Sequence, residues 1–204
     1  MTLQERCDSY TRTFPQWPAS WPRIVCDRLQ GLWQFGQDFR NKSEYFGSYP
    51  GNYLARLGAM FPDFPLEPGM LAFGAGPVLH AFSGSLALGP YHRCDIVQPA
   101  EYHCDVRDLP TVVKYPTYDL IVADPPYSDE DAERYKAPPL DRGALTSALA
   151  RVARSDCYLA WLDTVWPMHR ADEWKTIGMI AVVRSTNHRV RLLTLFQRAE
   201  EPVV

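Results

Sequence analysis

Leu120-Ile121-Val122-Ala123-Asp124-Pro125-Pro126-Tyr127 is an apolar run that ends, without a spacer, in an acid, two prolines and an aromatic residue. Four apolar residues bounded by such breakers predict a buried strand over 118–124. Asp124 to Tyr127, directly behind that strand, predict a rigid lip at the carboxyl edge of a parallel sheet, the edge where open α/β sheets bind ligands. The prolines fix φ and remove two backbone donors, so the carbonyls there are left to accept hydrogen bonds from a substrate. Asp124 can accept from an amino group, and Tyr127 offers a flat face to a planar ring. Together they suit an amine carried on an aromatic ring, such as the exocyclic nitrogen of adenine or cytosine. The alternative reading of the same residues is a strand followed by an ordinary Pro-rich turn.

Working outward, apolar strands are predicted at 78–82, at 93–97 ending near Asp95, and at 102–106, with later strands at 157–163, 179–185 and 190–197. Helical spacing predicts helices over 53–60 and 141–154, an acidic helical turn over 129–135 and a short helix near 171–175. Thr186-Asn187-His188-Arg189 reads as a hairpin turn joining the last two strands. Strands alternating with helices, closed by an antiparallel hairpin, imply an α/β fold with a mostly parallel sheet.

Residues 1–43 form a Trp/Pro-rich arm, with residues 44–204 as the domain that would carry the chemistry. The apolar residues of 23–39 predict one amphipathic helix. Trp17, Trp21 and Trp33 interleave with Arg12, Arg23, Arg28, Arg40 and Lys42. That mixture fits either a base-stacking surface or an arm whose tryptophans fill a packed contact.

At 204 residues the chain is long enough for one well-buried domain and short for two. No apolar run approaches the roughly 18 residues of a membrane span, and the polar N-terminus lacks a signal-peptide core. The five cysteines are odd in number and scattered without C-x-x-C spacing, which argues against a disulfide framework and a zinc site and for reduced thiols in the cytoplasm. Cys104 reads as a packing residue rather than a nucleophile. A net charge of −3 gives no overall drive toward phosphate backbones, so any nucleic-acid contact must come from a local patch.

A ligand with an adenosine and a charged methyl donor needs a small-residue loop after the first strand, an acid after the second and a polar residue after the third. Phe82-Ser83-Gly84-Ser85, Asp95 and Asp105 supply these in that order ahead of Asp124. Over residues 44–199 the chain resembles the class I S-adenosylmethionine-dependent amino-methyltransferases with a D-P-P-Y motif, the DNA N6-adenine and N4-cytosine type. The resemblance implies a Rossmann-like, mostly parallel seven-stranded sheet with a C-terminal antiparallel hairpin strand. It implies that Phe82, Ser83, Gly84 and Ser85 line the cofactor, that Asp95 takes the ribose and that Asp105 meets the adenine. Tyr49 and Pro50, in Ser48-Tyr49-Pro50-Gly51, are similar to the segment that contacts the methionine end. Asp124, Pro125, Pro126 and Tyr127 would be the catalytic lip, with no metal.

Two positions depart from the family pattern: His80 stands where an acid is frequent, and Leu86 where glycine is usual, narrowing the approach to the loop. His80 is either a donor near the cofactor carboxylate or a hydrogen-bonded core histidine. The family's DNA enzymes carry a sizeable target-recognition region, whereas about 77 residues come after Tyr127 here, nearly all used by predicted elements. Recognition would then fall to the arm, the 128–140 loop or a protein partner. The acids Asp129, Glu130, Asp131 and Glu133 read as a helix first turn, and Arg184, His188, Arg189, Arg191 and Arg198 as a phosphate-contacting patch or a charged edge strand. The expected activity is methylation of a nucleobase amine, N6 of adenine in DNA first. RNA bases, a small-molecule substrate and a non-catalytic binding module are the alternatives.

Overall fold

The computed structural model describes residues 1–36, 49–70, 76–184 and 189–199, with Arg184 by its backbone alone. The 43/44 boundary, Ser48, Arg40, Lys42 and most of the 186–189 turn lie outside the described residues.

The buried run behind the lip forms β5 (Tyr118–Ala123). Its Leu120 and Val122 face one hydrophobic core and its Ile121 and Ala123 another, the period-two alternation of a strand covered on both faces. β5 lies between β3 (Val78–Ala81) and β6 (Ala153–Asp163), parallel to both, and β4 (His92–Cys94) pairs parallel with the far side of β3. β7 (Trp174–Arg184) and β8 (Val190–Arg198) pair antiparallel, and β8 is also antiparallel to β6. β8 therefore begins at the sheet edge where β6 ends.

The segment expected as a helix over 23–39 is instead a hairpin, β1 (Arg23–Val25) and β2 (Arg28–Phe35), turned by Cys26 and Asp27, both at positive φ. Two consecutive left-handed residues make the primed turn that matches strand twist. β2 buries Leu29, Trp33 and Phe35 in alternation and pairs parallel with β7.

The expectation of a Rossmann-like, mostly parallel seven-stranded sheet is overturned. The described residues form one eight-stranded mixed sheet in the order β1-β2-β7-β8-β6-β5-β3-β4, with three of its seven neighbouring pairs antiparallel. Helices are few. The β3-to-β4 crossover is turn and loop, and the β4-to-β5 connection holds only a single 3₁₀ turn (Val106–Asp108) and the four-residue α3 (Leu109–Val112). The strand expected at 102–106 is reduced to one bridge between Cys94 and Tyr102, and the short helix near 171–175 is a turn leading into β7.

On one face lie α1 (Leu3–Thr13) and α2 (Tyr53–Met60); on the other is α5 (Arg142–Val152). α1 has no counterpart among the elements expected from the sequence, although its start is marked. Thr2 Oγ1 accepts from the Glu5 N–H and the Thr2 N–H donates to Glu5 Oε2 at 2.7 Å, a capping box. Of the arm's tryptophans, Trp33 and Trp21 pack against the core, whereas Trp17 is exposed. Trp33 is fully buried and stacks on Tyr10 at 5.6 Å, and the Trp21 indole donates to the Phe14 carbonyl.

Candidate functional site

Four strand ends converge on one edge. The chain leaves β3 through Phe82 and Gly84, at φ 59° and 53°. A phenylalanine in the left-handed region is strained backbone, held in place by its surroundings. Asp95, one residue past β4, ties down the loop at Gly84. Its Oδ2 accepts from the Gly84 N–H at 2.8 Å, and its Oδ1 from the N–H groups of Val97 and Gln98 at 2.8 and 2.7 Å. Of about four lone-pair sites on a carboxylate, three are thus taken by backbone, and Asp95 is first of all the clamp between two loops. The Ser83 hydroxyl beside it is buried and has no hydrogen-bond partner among the described residues.

At the end of β5, the Tyr127 hydroxyl donates to Asp124 Oδ1 at 2.5 Å. Burial, then the nearby charge of Asp124, pushes the Tyr127 hydroxyl pKa far up, so it remains a protonated donor. Tyr49 and Tyr53 are raised for the same two reasons, burial first. The lip is braced from behind. Arg142 donates to the Tyr127 carbonyl at 3.0 Å and grips Asp163, at the end of β6, through Nε at 2.7 Å and Nη2 at 3.1 Å. Asp163 is fully buried and also accepts from the Trp161 indole. Neither Arg142 nor Asp163 stood out in the sequence; the signal was a second apolar strand ending in an acid. Arg191, on β8, places its guanidinium 4.7 Å from the centroid of the Tyr127 ring.

Asp105 is held by Arg107 through a two-pronged ion pair, with Nη2–Oδ2 at 2.7 Å and Nε–Oδ1 at 2.9 Å. That partner keeps the Asp105 carboxyl below the usual carboxylate range. His80 is fully buried, with Nδ1 3.1 Å from the Tyr49 hydroxyl, so it is a core histidine in contact with the site.

Tyr49, Phe82, Ser83, Gly84, Asp95, Asp105, Asp124, Pro125, Pro126 and Tyr127 all line one cavity of about 290 Å³. Pro50 and Ser85 do not; they line a neighbouring cavity of about 280 Å³, with Leu86, and Tyr49 and Ser83 are shared between the two. Leu86 also leans on the core beneath α2. The acids after Tyr127 start α4 (Asp129–Arg134), capped by Ser128, whose hydroxyl accepts from the Asp131 N–H. Of the expected basic group, Arg189 and Arg191 reach the first cavity. Arg198, at the far end of β8, instead donates to the Glu173 carbonyl at 2.8 Å.

Among the described residues no group of three or more His, Cys, Asp or Glu is placed to hold a metal, and no helix is long and apolar enough to cross a membrane. No protein-family model matches the chain, and no curated protein matches it.

Proposed function

We propose that this chain is an S-adenosylmethionine-dependent amino-methyltransferase of the D-P-P-Y group that methylates the exocyclic amine of a nucleobase, N6 of adenine in DNA first. The observation that carries the reading is the meeting, in one cavity, of the Asp124–Tyr127 lip with the Phe82–Gly84 loop and two further acids.

The residues suit the cofactor on three counts. The Ser83 hydroxyl is a buried polar group with no partner among the described residues. The loop turns through a glycine at positive φ, which allows close approach to the backbone. Each cavity sits near the roughly 300 Å³ at which small-molecule sites begin, and the two adjoin at Tyr49 and Ser83. Bound there, the cofactor supplies an electrophilic methyl group. Asp124 and the Pro125 carbonyl accept from the two amine hydrogens and so turn the nitrogen lone pair toward that group. Tyr127 stacks on a base drawn out of its helix. Catalysis is then positioning, and the Arg142–Asp163 brace keeps the lip rigid.

Leu86, which lines the second cavity and packs on the core, favours a second reading, a non-catalytic binding module in which the cofactor loop is closed. Calorimetry with S-adenosylhomocysteine separates the two, because no binding at millimolar ligand supports the module. Target recognition falls to the cavity rim or to a protein partner, since the described residues after Tyr127 go into α4, α5 and β6 to β8. The five thiols, all free, fit a reducing cytoplasm. A methyl-transfer assay with radiolabelled cofactor on DNA and RNA pools should label the nucleic acid, and Asp124→Ala should abolish the label. Labelling that survives the substitution removes the role given to Asp124.

A further inference from the structure

One flat face of the Tyr127 ring, of the kind that would stack a base, is already in use. The Arg191 guanidinium lies over that ring at 4.7 Å, and both side chains line the same cavity. A guanidinium is planar and stacks on aromatic faces, so it covers ground a purine ring would need. Among the described residues Arg191 makes no ion pair and no side-chain hydrogen bond. Its backbone is fixed by pairing with Val182 in the middle of the sheet, whereas its half-exposed side chain is not tied down by a carboxylate.

We propose that Arg191 is a specificity-determining residue that stands in for the substrate ring on Tyr127 and, when that ring displaces it, takes the phosphate of the same nucleotide. The inference rests on the reading that Tyr127 stacks a nucleobase, and it narrows the substrate class to phosphate-bearing nucleotides. A ligand that is only a ring must evict the guanidinium and gains nothing in return. A ligand with a phosphate within reach gives the displaced guanidinium a two-pronged, charge-assisted partner. Arg189, on the same rim, adds positive charge beside it. Arg191 therefore discriminates by exchanging one partner for another.

The test is calorimetry on the full chain saturated with S-adenosylhomocysteine, titrated with adenosine and with adenosine 5′-monophosphate. The parent should prefer the monophosphate by about tenfold or more, a difference of about 1.4 kcal/mol. Arg191→Ala should bind adenosine more tightly and the monophosphate more weakly, bringing the two within about twofold. Arg191→Lys keeps the charge without the planar fork; it should tighten adenosine while holding the monophosphate within about threefold of the parent. An unchanged preference in Arg191→Ala overturns the proposal. Equal weakening of both ligands also overturns it, since Arg191 would then only prop Tyr127. Failure of S-adenosylhomocysteine to bind in its own titration counts against the methyltransferase reading instead, and the exchange is still read from the nucleotide pair.

Discussion

Asp95 and His80 show how single side chains at this edge carry structural duties that shape any chemistry. Replacing Asp95 would strip acceptors from three backbone N–H groups at once. A lost ligand affinity in such a variant therefore reports a collapsed loop as readily as a missing ribose contact. His80 has no solvent exposure, its buried Nε2 has no hydrogen-bond partner among the described residues, and burial pulls its pKa down to about 3. The unfolded chain binds a proton on this ring near pH 6.5, and the folded chain refuses it until far lower. Its contribution is thus fully present above about pH 6.5 and is lost as pH falls toward the folded value, at up to ~1.4 kcal/mol per pH unit. Between pH 6.5 and about 5, above the carboxylate range, denaturant unfolding of the parent should show this slope. His80→Leu should flatten it. Equal slopes in the two proteins would mean that the ring is protonated in the folded state.

Elements were legible where burial on both faces left one reading, and illegible where two periods shared the same residues. β5 reads directly because all but one of its residues are buried. In β2, Leu29, Leu32 and Trp33 fit helical spacing, while Leu29, Trp33 and Phe35 fit a strand, with Gly31 breaking the apolar alternation. The deciding turn, Cys26-Asp27, lacks the Asn-Gly or Asp-Gly signature of such hairpins. Partner geometry settles the contest instead, and it can be probed where β2 meets β7. A Cβ on Gly178 would come within 2.8 Å of the Leu29 backbone oxygen and Cβ. Gly178→Ala should therefore destabilise by about 1–3 kcal/mol. Gly58, inside α2, is the contrast: its added Cβ meets nothing nearer than Leu66 at 4.0 Å. There alanine should stabilise by about 0.5–1 kcal/mol. Thermal unfolding of the two variants checks both signs, and a harmless Gly178→Ala would show that β2 is held apart from β7.

At the scale of the whole molecule, the lip, the small-residue loop and the acids could be read because each sits in sequence just behind an apolar strand. The Arg142–Asp163 brace and Arg191 could not, because they join residues 127, 142, 163 and 191 only through the sheet order, and three antiparallel pairs were not foreseen in full. That order also decides where a polyanion would lie. With a net charge of −3 the chain as a whole repels phosphate, so binding must be local. The start of β8 brings Arg189 and Arg191 to the cavity, which α4 also lines, and the first turn of α4 carries Asp129, Glu130 and Asp131. Nucleic acid should therefore cross the β8 side and avoid α4. Each phosphate contact releases condensed counterions and adds about 0.7–0.9 to the slope of log affinity against log salt. Arg189→Ala combined with Arg191→Ala should weaken oligonucleotide binding and flatten that slope by up to about two units, leaving S-adenosylhomocysteine binding intact. A salt titration monitored by fluorescence anisotropy reads both quantities. If the double variant keeps the parent's affinity and slope, the rim arginines do not meet phosphate, and the exposed Arg23 and Arg28 of the β1–β2 hairpin are the next basic surface to test.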